Sequence, residues 1–153
     1  MLIEGILDTQ SILVEDDSSS KKRLLERSAH LLAPDDSEQA ERVFERLLER
    51  ERLGSTGLSG GVALPHARVP GISKTRGAFI RLTQAIDFDA MDGQAVDLVF
   101  ALLVPEEATE EHLQLLAQLA SLFKQADFCQ QLRTADAKQA HELLTGHSAH
   151  HAA

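Results

Sequence analysis

Apolar positions recur along this chain in two distinct periods, and their alternation sets the order of its elements. Residues Ile3 to Val14 mix isolated hydrophobes with Gly5 and Asp8, and Ile12-Leu13-Val14 reads as an edge strand. Asp16-Asp17-Ser18-Ser19-Ser20 then offers capping side chains ahead of Lys21, which predicts a helix to about Leu32. After a second cap signal, Ala33-Pro34-Asp35-Asp36-Ser37, the residues Ala40, Val43, Phe44, Leu47 and Leu48 fall at i, i+3, i+4, i+7 and i+8. They define an amphipathic helix that Gly54 closes. Beyond a glycine-rich stretch, a small-residue run from Gly60 to Leu64 reads as a short strand that Pro65 ends. Ala78, Ile80 and Leu82 alternate with Phe79 and Arg81, giving a strand with one face more apolar than the other. Asp92-Gly93 marks a turn. Val96 to Val104 is apolar on both faces, so it is a central strand that needs helices on both sides. It stops at Pro105. Thr109 caps a helix whose core stripe is Leu113, Leu116, Ala120 and Phe123, and a final helix spans about Ala135 to Leu144. This order implies an α/β fold: a single-domain three-layer α/β/α sandwich around a small mixed β-sheet, covering residues 1–146. The small polar segment 147–153 reads as a frayed tail.

Charge and composition narrow the chemistry. The 153 residues carry a formal net charge of −9 with only 15 Lys and Arg, which argues against nucleic acid as a partner. The one cysteine, Cys129, lies in an apolar-polar pattern with no basic neighbour to activate it and reads as a half-buried hydrophobe. No signal peptide or membrane-length apolar run is visible, so no membrane insertion and a cytoplasmic location are expected. The tail histidines His147, His150 and His151 lack a fixed scaffold or co-ligand, and no metal is expected.

The most informative residue is His66. It follows Pro65, whose fixed φ restrains the backbone, and it stands at the rim of the sheet, a good posture for a nucleophile. The loop Gly54-Ser55-Thr56-Gly57-Leu58-Ser59-Gly60-Gly61 offers backbone N–H groups and hydroxyls that could receive an anion delivered to the ring. Ser55 and Thr56 fit both phosphate contact and a structural turn. No Gly-Lys-Ser/Thr follows the loop and the next segment is a strand, so no nucleotide, and no other cofactor, is implied.

The stretches GSTGLSGGVALPHARV and IDFDAMDGQAVDLVFALLVPEEATEEHLQLLAQLA resemble the phosphoenolpyruvate-dependent phosphotransferase system IIA family of the fructose, mannitol and nitrogen-regulatory type. The resemblance runs from about Ser18 to about Thr145 and is greatest to the nitrogen-regulatory branch. It implies that His66 accepts a phosphoryl group from a histidine phosphocarrier protein, and it suggests Nε2 as the acceptor. It implies a phosphate-facing arginine just before the glycine loop, where Arg50 matches best and Arg52 is the fallback. Read on spacing alone, Arg50 is a solvated helix-terminal residue. The resemblance also implies a second histidine beside the first, at His112, which the periodicity by itself would leave part-exposed in the first turn of its helix. His30 and His141 receive no role. The connection Ala67-Arg68-Val69-Pro70-Gly71 is about one residue shorter than is common in the family and carries Ala67 where glycine is frequent.

Three functions follow as alternatives. In the first, the chain is a regulatory IIA protein whose phosphorylation state informs transporters or sensor kinases, with the nitrogen-branch phosphocarrier as donor. In the second, it is a sugar-specific IIA component that passes phosphate to a IIB domain in fructose or mannitol uptake. In the third, it is a binding module that carries no phosphate. For the first two, the carrier is expected to dock on an apolar patch of Leu58, Val62 and Val69 ringed by acidic residues.

Overall fold

The computed structural model describes the backbone of residues 3–107 and 109–152 and the side chains of 3–107 and 110–146. Two 3₁₀ turns, Ile3–Gly5 and Thr9–Ser11, lead into β1 (Ile12–Asp16). Next come α1 (Lys21–Leu32), α2 (Ser37–Leu53), β2 (Val62–Ala63), β3 (His66–Val69), β4 (Arg76–Ile86) and β5 (Val96–Pro105). The helices α3 (Thr109–Phe123), α4 (Ala126–Thr134) and α5 (Ala137–Ala152) complete the chain. The caps of α1 and α2 are those the sequence offers. The Ser20 hydroxyl accepts from Arg23 N, and the Asp36 carboxylate accepts from Glu38 N and Gln39 N. Each satisfies N–H groups that a helix start leaves without partners.

The sheet has five strands in the order β1-β4-β5-β2, with β3 also pairing β5. β1 runs parallel to β4, β4 antiparallel to β5, and β2 and β3 parallel to β5, so the sheet is mixed. Alternate residues of the central strand feed two separate cores. Leu98, Phe100 and Leu102 pack with α3, α4 and α5, while Val99, Ala101 and Leu103 pack with α1 and α2. That is the three-layer sandwich the double-faced apolar run predicts.

Three expectations need correction. Pro65 does not end the strand. It removes one N–H from the ladder and so splits the edge into β2 and β3, but its carbonyl still accepts from Leu102 N at 2.9 Å. The register is the same on both sides, Val62 facing Leu98 and His66 facing Leu102, and His66 therefore opens a second strand segment. β4 keeps one face more apolar than the other, as expected, with Ala78, Ile80 and Leu82 all in the α1–α2 core. Ala78, Phe79 and Ile80 are all buried, and Arg81 turns its guanidinium to the carbonyls of Leu132 and Ala135, both at 2.6 Å. The stripe of α3 is Leu115, Leu119, Leu122 and Phe123, whereas Leu113 is 60% exposed. The segment after Phe123 holds two helices, not one. Asp136 and Gln139 exchange side-chain bonds with each other's backbone N–H to start the second. Its backbone passes through Gly146, since a glycine inside a helix weakens it without forcing a stop. The expected cap at Thr109 and the tail histidines lie outside the described side chains. Cys129 packs as a hydrophobe but is buried rather than half-buried, its thiol donating to Phe123 O at 3.1 Å and pushed up in pKa by burial.

Candidate functional site

His66 lies on an edge segment of the sheet, and this explains how distant residues meet there. α2 belongs to the layer on one face of the sheet and α3 to the layer on the other. Only at an edge can side chains from both layers reach the same strand residue. Along β3 side chains alternate, so Ala67 and Val69 are buried against the α1–α2 core while His66 and Arg68 project to the opposite face. A hollow of about 510 Å³ opens over them, lined by Arg46, Glu49, Arg50 and Leu53 from α2, His66, Ala67 and Arg68 from β3, and His112, Leu113 and Leu116 from α3.

Within it both nitrogens of His66 are engaged. Nδ1 lies 2.9 Å from Leu64 O, and since a carbonyl only accepts, the proton is on Nδ1. Nε2 therefore carries a lone pair, which accepts from Arg50 Nε at 3.3 Å. The same guanidinium donates through Nη1 to Gly54 O at 2.8 Å, which closes the end of α2 and aims the fork. His112 stands edge-on to His66, ring centroids 5.1 Å apart at 63°. It is only 4% exposed, and its Nδ1 has no hydrogen-bond partner among the described residues. A buried polar atom left unpaired costs about 1–3 kcal/mol, a cost that a ligand oxygen would relieve.

Burial lowers the pKa of both rings. For His66, desolvation is the largest cause; the Leu64 carbonyl and Glu51 oppose it and the Arg50 and Arg68 charges add to it. For His112, desolvation followed by His66, Arg68 and Arg50 brings the value down to about 4. A histidine with a depressed folded-state pKa contributes stability above its unfolded value of 6.5 that is lost as pH falls toward 4. The shift corresponds to roughly 3 kcal/mol. Urea unfolding in steps through that window should show the loss in the wild-type chain and a shallower loss in His112→Phe.

The structure thus brings His66, Arg50 and His112 together. Arg52 is exposed on the last turn of α2 and does not line the hollow. Ser55 and Thr56 are turned elsewhere: the Ser55 hydroxyl donates to Phe88 O at 2.6 Å, and Thr56 is buried with its hydroxyl on the Glu51 carboxylate. Neither lines the hollow, and their engagement is that of a structural turn. The expected docking patch is also corrected. Val62 and Val69 are buried in the two cores, and Leu58 is half-buried against one of them. The apolar lip of the hollow is instead Leu53, 85% exposed, and Leu113, and the charges lining it are Arg46, Arg50, Arg68 and Glu49 rather than an acidic ring. Sequence reasoning also passed over Arg68 as a site residue. The signal was available, because Arg68 is two residues beyond His66 and period 2 puts both on one face once the strand continues past Pro65.

Comparison with known proteins bears on the family and the fold. Residues 5–146 match the family described as phosphoenolpyruvate-dependent sugar phosphotransferase system, EIIA 2. The chain is 47% identical over 139 residues to a nitrogen regulatory protein of Pseudomonas aeruginosa, covering 90% of each chain. It is 42% identical over 145 residues to a nitrogen regulatory protein of Bradyrhizobium diazoefficiens, covering 94% of this chain and 95% of that one. The crystal structure of nitrogen regulatory protein IIA-Ntr from Neisseria meningitidis aligns with a TM-score of 0.89 at 45% identity, over 94% of this chain and 99% of that one. IIA mannitol from Escherichia coli shares the fold, with a TM-score of 0.75 at 20% identity over 90% of this chain and 98% of that one. These likenesses define the class, an α/β component of the phosphotransferase system. The chain belongs to the EIIA 2 family of that system, and nitrogen regulatory proteins are among the relatives it resembles. Among the described residues no helix is long and apolar enough to cross a membrane.

Proposed function

We propose that the chain accepts a phosphoryl group on His66 Nε2 from a histidine phosphocarrier protein, and that partner proteins such as transporters or sensor kinases read its phosphorylation state. One observation carries the reading: the Leu64 carbonyl holds the proton on Nδ1, which leaves Nε2 nucleophilic in a hollow lined by arginines. In the transfer the Nε2 lone pair attacks phosphorus in line with the donor nitrogen. The new N–P bond forms as the donor's N–P bond breaks, and that bond's electron pair returns to the donor ring. Arg50 moves its hydrogen bond from Nε2 to the incoming oxygens, where its planar fork neutralises charge that builds up in the transition state. His112, neutral near pH 7, is placed to donate to the same group. Leu53 and Leu113 give the carrier an apolar lip on either side of the nucleophile.

The names of the similar proteins favour the nitrogen-regulatory branch. The test is incubation with phosphoenolpyruvate, enzyme I and each candidate phosphocarrier, followed by mapping of the phosphosite. The expected result is acid-labile phosphate on His66, faster transfer from the nitrogen-branch carrier, and no sugar-dependent loss of phosphate to a IIB protein. Preference for the sugar-branch carrier together with such a loss would make the chain a sugar-uptake component. A wild-type chain that takes no phosphate from either carrier would leave the binding-module alternative.

A further inference from the structure

We infer that Glu51 is a positioning residue for His66, acting through Thr56 and the backbone of Leu64; the inference rests on the phosphoryl-acceptor reading of the site. Glu51 is the neighbour of Arg50 on the last turn of α2, and its side chain is buried. Its Oε1 accepts from Thr56 N at 3.1 Å, and its Oε2 accepts from the Thr56 hydroxyl. The Thr56 carbonyl accepts from Leu64 N at 3.1 Å. The Leu64 carbonyl in turn accepts from His66 Nδ1 at 2.9 Å. A connected set of hydrogen bonds therefore runs from a buried carboxylate to the reactive ring. Its charge is balanced by Lys21 of α1, whose Nζ lies 3.0 Å from Glu51 Oε1.

The placement has a reason in the strand. Leu64 lies at the break between β2 and β3, where Pro65 gives β5 no N–H. The bond from Leu64 N to Thr56 O then holds the residue whose carbonyl accepts from the imidazole N–H. If Leu64 turned, Nδ1 would lose its acceptor, and only the Arg50 N–H donated to Nε2 would keep the proton off the nitrogen that must be bare to attack. Adjacent residues of α2 thus govern the two nitrogens of one ring: Arg50 touches Nε2 directly, and Glu51 holds Nδ1 through Thr56 and Leu64. A pair that only fastened α1 to α2 would not need the carboxylate to take both donors of Thr56.

The experiment compares wild type, Glu51→Gln, Thr56→Val and Thr56→Ser. Long-range ¹H–¹⁵N spectra of the His66 ring, recorded without any donor, report which nitrogen carries the proton; rapid mixing with the phosphorylated carrier reports the transfer rate. The expected result is an Nδ1–H ring in wild type, mixed tautomers in Glu51→Gln and Thr56→Val, and transfer slowed by about 10- to 100-fold, the scale of a small misplacement of a reacting group. Thr56→Ser, which keeps the hydroxyl, should restore both readouts. Folded variants that keep either the wild-type tautomer or the wild-type rate overturn the inference. Thr56→Val retains volume and backbone N–H and decides the matter where Glu51→Gln does not fold. A wild-type chain that never accepts phosphate sinks the acceptor reading itself, and the spectra still show separately whether Glu51 sets the tautomer.

Discussion

Replacing His66 by alanine is expected to give a folded chain that takes up no acid-labile phosphate at all. The ring is half-buried at the sheet edge and outside both apolar cores, so its removal deletes little packing. The chemical loss is complete, because the only other imidazole among the described residues lining the hollow, His112, is 4% exposed and edge-on to His66. Intact-mass measurement after incubation with phosphorylated carrier, set beside a thermal melt, checks both halves of the expectation. Stoichiometric acid-labile phosphate on the His66→Ala chain would show that the nucleophile has been misassigned.

Arg50→Ala should slow transfer on the order of 10²-fold without abolishing it, the usual consequence of losing one preorganised donor to a developing charge. The attacking nitrogen remains, but the guanidinium that would meet the phosphoryl oxygens does not. Arg50→Lys should recover only part of the rate, since an ammonium cannot span two oxygens. The pH profile offers an independent check. Arg50 is among the charges that lower the pKa of His66, so its removal should move the acid limb of the rate profile to higher pH. Arg52→Ala should match wild type, because that side chain is outside the hollow. Equal rates for Arg50→Ala and wild type would remove the arginine from the mechanism.

What the sequence made legible follows from how each element is specified. α1, α2 and β5 were readable because pattern and punctuation agreed: a capping side chain opens α1 and α2 ahead of their apolar spacing, and an unbroken apolar run ending at Pro105 marks β5. The segment Leu113 to Phe123 misled because leucines occupy several faces at once. The buried face is marked by a polar residue, His112, at the head of Leu115, Leu119 and Leu122, and hydrophobic counting skips it. α4 escaped because Gln125 supplies no capping side chain, and the helix begins almost as soon as α3 ends. Ser55 and Thr56 looked like anion contacts because hydroxyls beside glycines often are. Their partners, Phe88 and Glu51, lie 33 and 5 residues away, and no local pattern announces them. Arg68 went unread for a different reason, since stopping the strand at Pro65 broke the period that links it to His66. The residues gathered at His66 come from α2, β3 and α3, and their convergence belongs to the sheet edge, not to any local motif.

The topology also bears on how the chain comes to be made. Ile3, Ile6 and Leu7 share one core with Ala140 and Leu144 of α5, and His141 Nε2 meets Leu7 O at 3.1 Å, a closure across 134 residues. β1, formed early in synthesis, pairs with β4 and lies under α5. A ribosome delivering this chain in order would therefore release the acceptor strand β3 and its arginine well before that face of the sheet can be sealed. Contacts of such long sequence separation form slowly, since closing the loop costs entropy before any packing is gained. The apolar side of β4 and β5 waits uncovered in the meantime, and newly made chains are most exposed to mutual association in that interval.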